Sequence, residues 1–253
     1  NYIWSFEFNM EVSRLVKRSS AASVTVHGGP SAPKYPGACE AFLRTQSHVD
    51  VSVRGEGEVT AAALLDHLAE RLVRGEDARE GLSGIDGLSF LDGGDGPLVQ
   101  TPERPRLRDL DLLASPYLDG TFDGWVQPRV RLTTLETNRG CPYGCTFCDW
   151  GSATQQKIHV FDLERVKAEV EWIAAHQIPV LFLGDANFGI FDRDLEIAEH
   201  IGRMRQQHGF PKEVVVSYAK NGNDRIPEIV RAMVSAGVVT EGVISIQTSN
   251  PDA

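Results

Sequence analysis

Apolar residues in this chain fall into short unbroken runs separated by longer stretches in which they recur every three or four positions. Short apolar runs bounded by glycine read as strands covered on both faces, and the longer pattern reads as amphipathic helix. Over residues 1–78 the pattern predicts a short helix at Glu11–Arg18 and a strand at Ala22–His27 that runs into Gly28-Gly29-Pro30. A second strand at Val49–Arg54 ends in Gly55-Glu56-Gly57-Glu58, and Leu64, Leu65, Leu68 and Leu72 place a helix over Val59–Val73. These elements suit the second half of an open α/β domain. A glycine turn straight after a buried strand lets a ligand approach the backbone at the carboxyl edge of the sheet.

Residues 79–128 change character. Apolar runs at Gly87–Leu91 and Pro97–Val99 flank a glycine-rich turn and predict a β-hairpin, and Leu107–Gly120 reads as an irregular linker. From residue 129 to 253 strand and helix alternate. Strands are expected at Arg131–Thr137, Val180–Leu183, Val214–Tyr218 and Val243–Gln247, with helices at Leu163–His176, Arg193–Gln207 and Ile226–Ser235. That order argues for a parallel sheet and makes half of a (β/α) barrel. Reactive groups in such barrels sit at the carboxyl ends of the strands.

The chemistry lies in the loop after the first of these strands. Cys141, Cys145 and Cys148 form a C-x3-C-x2-C cluster. Three thiolates hold three irons of a four-iron cluster and leave the fourth without a protein ligand, whereas electron-transfer clusters close all four positions with cysteine. Structural zinc wants four ligands in paired C-x2-4-C units, so the spacing is poor for it. Buried small hydrophobes, or a zinc site completed by His159 or His176, are the alternatives. Glycine and proline among the thiols favour a tight loop around a cluster.

Composition narrows the picture further. The 253 residues allow one large or two medium domains, and 42% hydrophobic with 24% charged residues is ordinary for a globular protein. A formal net charge of −10 argues against a nucleic-acid partner, which calls for clustered Lys and Arg. No apolar run approaches the roughly 20 residues of a membrane span, and no signal peptide is visible. The four cysteines do not make a disulfide framework, and an exposed iron needs a reducing compartment, which implies the cytoplasm. The chain opens without an initiator Met and closes on Asn250-Pro-Asp-Ala253, so it reads as a piece of something longer.

The cysteine loop resembles that of the radical S-adenosylmethionine (SAM) superfamily, whose signature carries an aromatic residue before the third cysteine, here Phe147. Tyr2-Ile3-Trp4-Ser5, Gly28-Gly29-Pro30, Gly55-Glu56-Gly57-Glu58 and Ser115-Pro116-Tyr117-Leu118-Asp119-Gly120, in that order ahead of the loop, resemble the branch with an N-terminal cobalamin-binding domain. The fold so implied is α/β: the C-terminal part of a Rossmann-like (flavodoxin-like) cobalamin-binding domain at 1–78, a linker with a hairpin at 79–128, and the N-terminal half of a radical SAM (β/α) barrel at 129–253. The implied cofactors are a 4Fe-4S cluster on Cys141, Cys145 and Cys148, SAM, and cobalamin.

The resemblance also implies roles for single residues. Gly28, Gly29, Pro30, Gly55, Glu56 and Gly57 would line the groove for cobalamin's nucleotide tail, where the bland reading is plain αβ turns. Trp4 would lie near the lower face of the corrin, against a tryptophan buried in the core. Asp185, in Gly184-Asp185-Ala186-Asn187 after the second strand, would contact the methionine amino group of SAM. Relatives often carry Glu there, and a helix N-cap is the competing role. Ser217 and Gln247 would bond the ribose or carboxylate of SAM, and Trp150 and Lys157 either border the site or face solvent. None of the seven histidines has a spacing that assigns it a catalytic role.

The activity implied is methylation of an unactivated carbon of a small molecule: SAM cleavage gives a deoxyadenosyl radical that removes a hydrogen, and methylcobalamin supplies the methyl group. An electron donor such as flavodoxin or ferredoxin is implied as partner. Cys148-Asp149-Trp150-Gly151-Ser152 resembles the branch that methylates antibiotic precursors, including carbapenems. A non-methylating cobalamin radical enzyme and a non-enzymatic cluster- or zinc-bearing module are the rival readings.

Overall fold

The computed structural model describes residues 2–124, 130–145, 148, 157–220 and 224–243. Its contacts divide the chain into two compact units, one over Asn1–Leu107 and the other from Arg108 onward.

In the first unit, helix α1 spans Phe6–Ser19, strand β1 Val26–His27, helix α2 Pro36–Thr45, strand β2 Val51–Val53 and helix α3 Gly57–Arg74. Strands β3, Leu88–Leu91, and β4, Leu98–Gln100, form the hairpin. The sheet runs β1-β2-β3-β4, with β1 and β2 parallel and the hairpin antiparallel on β2 through Val53↔Leu88. The hairpin expected from the glycine-rich turn therefore finishes the sheet of the first unit. Val51, Val53, Leu64, Leu68, Leu88 and Phe90 make one apolar cluster, while Met10, Cys39, Phe42, Leu43 and Val49 make another. Of the four leucines that mark α3, the structure buries Leu64 and Leu68 and leaves Leu65 and Leu72 largely exposed. Burying one such side chain stabilises by about 1.5–3 kcal/mol, enough for a pair to fix which way the helix faces.

Helix α2 has no counterpart among the elements expected from periodicity. Its signals are Pro36 in the first turn, where a missing N–H costs nothing, and the Cys39, Phe42, Leu43 stripe. Strand β1 is shorter than the expected Ala22–His27. Thr25 instead receives and gives side-chain bonds: its amide donates to Asp50 Oδ2 at 2.7 Å and its hydroxyl donates to the His48 carbonyl.

In the second unit strand β5 spans Leu132–Leu135, and a two-stranded ribbon pairs β6, Asn138–Arg139, with β7, His159–Val160. Then come helix α4 (Leu163–Ala175), strand β8 (Val180–Phe188), helix α5 (Arg193–His208), strand β9 (Glu213–Tyr218), helix α6 (Arg225–Ser235) and strand β10 (Val239–Val243). The sheet order β10-β9-β8-β5 is parallel throughout, as expected of a partial (β/α) barrel. Leu181, Leu183, Val214 and Val216 are fully buried with Val166, Ile173, Ile197, Ile201 and Ile229 of the helices. The alternate residues Leu132, Phe182, Val239 and Val243 stay partly exposed on the other face.

Two strand boundaries of the second unit differ from expectation by four residues or more. Strand β8 does not stop at Leu183. It continues to Phe188 across a register shift, so Gly184-Asp185-Ala186-Asn187 lies within the strand's irregular extension. Polar residues persist there because the Asp185 carboxylate and the Asn187 Nδ2 have partners, described below, and a bonded polar group does not end a strand. The last strand begins at Val239, four residues before the expected Val243, with Val239↔Glu213 fixing its register.

Candidate cofactor site

The loop that carries the cysteines is closed at its base by the β6–β7 ribbon. Asn138 pairs with Val160 and Arg139 with His159, and the Phe161 amide donates to the Thr137 carbonyl at 3.0 Å. Gly140 stands between this stem and Cys141 with φ of 126°, and a Cβ there would meet the Lys157 carbonyl oxygen at 2.9 Å. Only glycine fits where the two legs of the loop cross.

Beneath the stem sits Asp185, with 2% of its surface exposed. One carboxylate oxygen accepts the amides of Thr137 at 2.7 Å and Asn138 at 3.2 Å. The other accepts the Thr137 hydroxyl and the Asn138 side-chain amide, the latter at 2.8 Å. Burial pushes the Asp185 carboxyl up to about 7, against the pull of these hydrogen bonds. Asp185 therefore touches the chain just ahead of the cysteines, and it is not the N-cap of α5, a position held by Asp192.

Cys141 is buried, and Cys145 and Cys148 are partly exposed; the Cys148 amide donates to the Cys145 carbonyl at 3.1 Å. Asn187, two residues past Asp185, donates from Nδ2 to Cys141 Sγ at 3.3 Å. Lys220, just beyond β9, donates from Nζ to Cys145 Sγ at 3.2 Å and stands 5.6 Å from the centre of the Tyr143 ring. Asn187 Oδ1 is buried with no hydrogen-bond partner among the described residues. Sequence reasoning missed Lys220, and it passed over the role of Asn187.

The donor set suits an iron–sulfur cluster: three thiols in a closed loop, two of them facing N–H donors of the kind that tune such centres. Among the described residues no three His, Cys, Asp or Glu side chains gather as the ligands of one metal ion. His176, a candidate fourth zinc ligand, is stacked on Trp172 with ring centres 3.8 Å apart, and His159 lies in the β7 ribbon. Lys157 is exposed, and Ser217 is half-buried near the end of β9, on the face that also carries Phe182 and Val215. Phe147, Trp150 and Gln247 lie outside the described residues.

In the first unit the glycine turns follow the two parallel strands: Gly28-Gly29-Pro30 after β1 and Gly55-Glu56-Gly57 after β2. Gly55 adopts φ of 72° with no atom within 4 Å of where its Cβ would stand. The Glu56 carboxylate bonds Arg106 Nε and the Leu107 amide, both at 3.0 Å, so this side chain fastens the end of the unit. His27, the last residue before the Gly28 turn, is buried with Nε2 at 2.7 Å from Ser13 Oγ. Burial, with His48 nearby, pushes its imidazole down to about 4. Trp4 is 79% exposed and stacked on Tyr2 at 4.7 Å, so it is not a core tryptophan.

Residues 135–253 match the family model of the Radical SAM superfamily. The chain belongs to this superfamily. Over 99% of its length it is 40% identical to the 2-(S-pantetheinyl)-carbapenam-3-carboxylate methyltransferase of Streptantibioticus cattleyicolor. It is 39% identical, over the same share, to the cobalamin-dependent radical SAM methyltransferase TokK of Streptomyces tokunonensis. The chain spans 36% of the length of each of these relatives. It shares its fold with the radical S-adenosylmethionine methyltransferase TsrM from Kitasatospora setae, solved with cobalamin and a 4Fe-4S cluster bound. The TM-score is 0.65 at 19% identity, over 96% of this chain and 45% of that one. The expected α/β arrangement, an open sheet unit followed by part of a parallel (β/α) barrel, is the fold of this chain.

Proposed function

We propose that this chain is part of a cobalamin-dependent radical SAM methyltransferase that methylates an unactivated carbon of a small molecule, in the biosynthesis of an antibiotic. The observation that carries the reading is the closed cysteine loop at the carboxyl edge of a parallel sheet, with N–H donors from the ends of two strands aimed at two of its sulfurs. The 40% identity to a carbapenam methyltransferase supports the substrate class.

In this reading Cys141, Cys145 and Cys148 hold three irons of the cluster, with Phe147 beside the third cysteine. When bound, the cluster and SAM together supply the radical that removes hydrogen from the substrate, and cobalamin supplies the methyl group. The protein's share is to hold these groups in register and to keep water and oxygen from the reacting atoms. Asp185 works on the loop rather than on SAM, because its oxygens are already filled by Thr137 and Asn138. The unpartnered Asn187 Oδ1 suits the methionine ammonium better, since a buried acceptor gains most from a charged donor. Ser217 and Gln247 serve the ribose or carboxylate of SAM. The glycine turns at Gly28-Gly29-Pro30 and Gly55-Glu56-Gly57 admit the nucleotide tail of cobalamin, with Trp4 toward the corrin.

A low-potential electron donor such as flavodoxin or ferredoxin completes the system, in the cytoplasm, where thiols stay reduced. No helix among the described residues is long and apolar enough to cross a membrane, and the net charge of −10 gives nucleic acid no footing. The test is anaerobic reconstitution of the full-length protein. A change in the reduced-state paramagnetic spectrum on adding SAM, formation of 5′-deoxyadenosine, and a product heavier by a methylene unit are expected. A product that loses hydrogens without gaining carbon would favour the non-methylating reading. Zinc without sulfide would end the enzyme reading.

A further inference from the structure

Asn187 and Lys220 stand far from the cysteines in sequence but reach two of their three sulfurs. They arrive by a shared piece of architecture. Beyond the register shift, Phe188 pairs with Tyr218, and the Ala219 amide donates to the Phe188 carbonyl at 2.9 Å. That clasp fixes the ends of β8 and β9 together and sets one donor just before it and the other just after. Each side chain is further restrained. Asn187 is buried, and the Lys220 ammonium lies over the Tyr143 ring, within the cysteine loop itself.

A donor to a thiolate withdraws electron density from the sulfur, and a nearby positive charge favours whichever state of a cluster is more negative. We propose that Asn187 and Lys220 raise the reduction potential of the cluster, Asn187 through its amide dipole on Cys141 and Lys220 through its charge on Cys145. The inference rests on the cluster reading given above. The step they ease is uptake of one electron from a low-potential donor protein, with no bond made or broken and no proton moved. Lys220 should have the larger effect, because a full charge in a partly screened site outweighs a dipole.

The test is a redox titration of the reconstituted full-length protein without SAM, followed by its paramagnetic signal, with iron and sulfide counted in every sample. Lys220→Met is expected to shift the midpoint to more negative potential and Asn187→Leu to shift it the same way by less. Lys220→Arg should restore most of the wild-type value. Wild-type protein without a four-iron count would overturn the cluster reading itself. A fully loaded Lys220→Met protein whose SAM-free midpoint is unchanged would overturn only the tuning role, and so would an Arg variant that behaves like Met.

Discussion

The two units build glycine-bearing turns at the same place, the carboxyl ends of parallel strands, by opposite means. In the first unit the turn after β2 is bare: Gly55 has open space where a side chain would stand, and the neighbouring Glu56 is turned to Arg106 and Leu107. In the second unit the loop after β5 is crowded. Gly140 is pinned under Lys157 and Ile158, Asp185 fills the stem, and Asn187 and Lys220 reach the sulfurs. A bare turn offers backbone to a long ligand that lies along it. A crowded loop fixes a compact centre whose properties depend on the groups around it. The first design tolerates added side chains as long as the backbone permits, and the second does not.

That contrast breaks most openly at the thiols. Cys145→Ala should abolish cluster loading and deoxyadenosine formation in the full-length protein, read by iron count and chromatography, while leaving the fold of the first unit intact by hydrogen exchange. Next is Asp185→Ala, which strips the Thr137 and Asn138 donors of their acceptor. Each buried group so orphaned costs about 1–3 kcal/mol, so thermal unfolding of the second unit should fall well below wild type and iron loading should drop with it.

Two glycine variants then sharpen the comparison. Gly140→Ala combines a strained backbone, about 1–3 kcal/mol, with a Cβ 2.9 Å from a carbonyl oxygen, and should weaken both stability and cluster loading. Gly55→Ala meets open space and carries only the left-handed backbone penalty of about 1–2 kcal/mol, with iron loading unchanged. Equal effects of the two on iron loading would erase the distinction.

The smallest effect is one of pH, and its sign differs between the units. The folded imidazole of His27 is lowered from 6.5 to about 4, so the unfolded chain binds the extra proton between those values. Stability from His27 is present above pH 6.5 and is lost as pH falls toward 4. The folded carboxyl of Asp185 is raised from 3.8 to about 7, so here the folded state holds the extra proton. Its contribution is present at low pH and is lost as pH rises through about 7. Unfolding of apo-protein against pH should therefore weaken the first unit on the acid side and the second toward neutrality. His27→Gln and Asp185→Asn should each flatten one limb.

Much of this was legible along the chain. Helices α3 to α6 and the hairpin follow from periodicity, because helical and alternating patterns record which face is buried. Strand β1 is shorter than its apolar run because the Thr25 amide donates to the Asp50 carboxylate, although its carbonyl still accepts the Val51 amide, a choice made by a residue 25 positions away. Asp185 looked like a ligand residue past the end of a strand, since a carboxylate after a buried run usually marks a turn. Its burial depends on Thr137 and Asn138 arriving from another strand.

The sequence by itself determined the cysteine triplet, the glycine turns and the alternation of strands with helices, since each is written in neighbouring residues. Only the tertiary structure decided which polar side chains meet the sulfurs. Asn187 lies 46 positions from Cys141 and Lys220 lies 75 from Cys145, and no local pattern encodes contacts over such separations. They form because parallel pairing of β8 and β9 brings the two strand ends to one edge, and pairing of that kind is fixed by burial of the whole sheet.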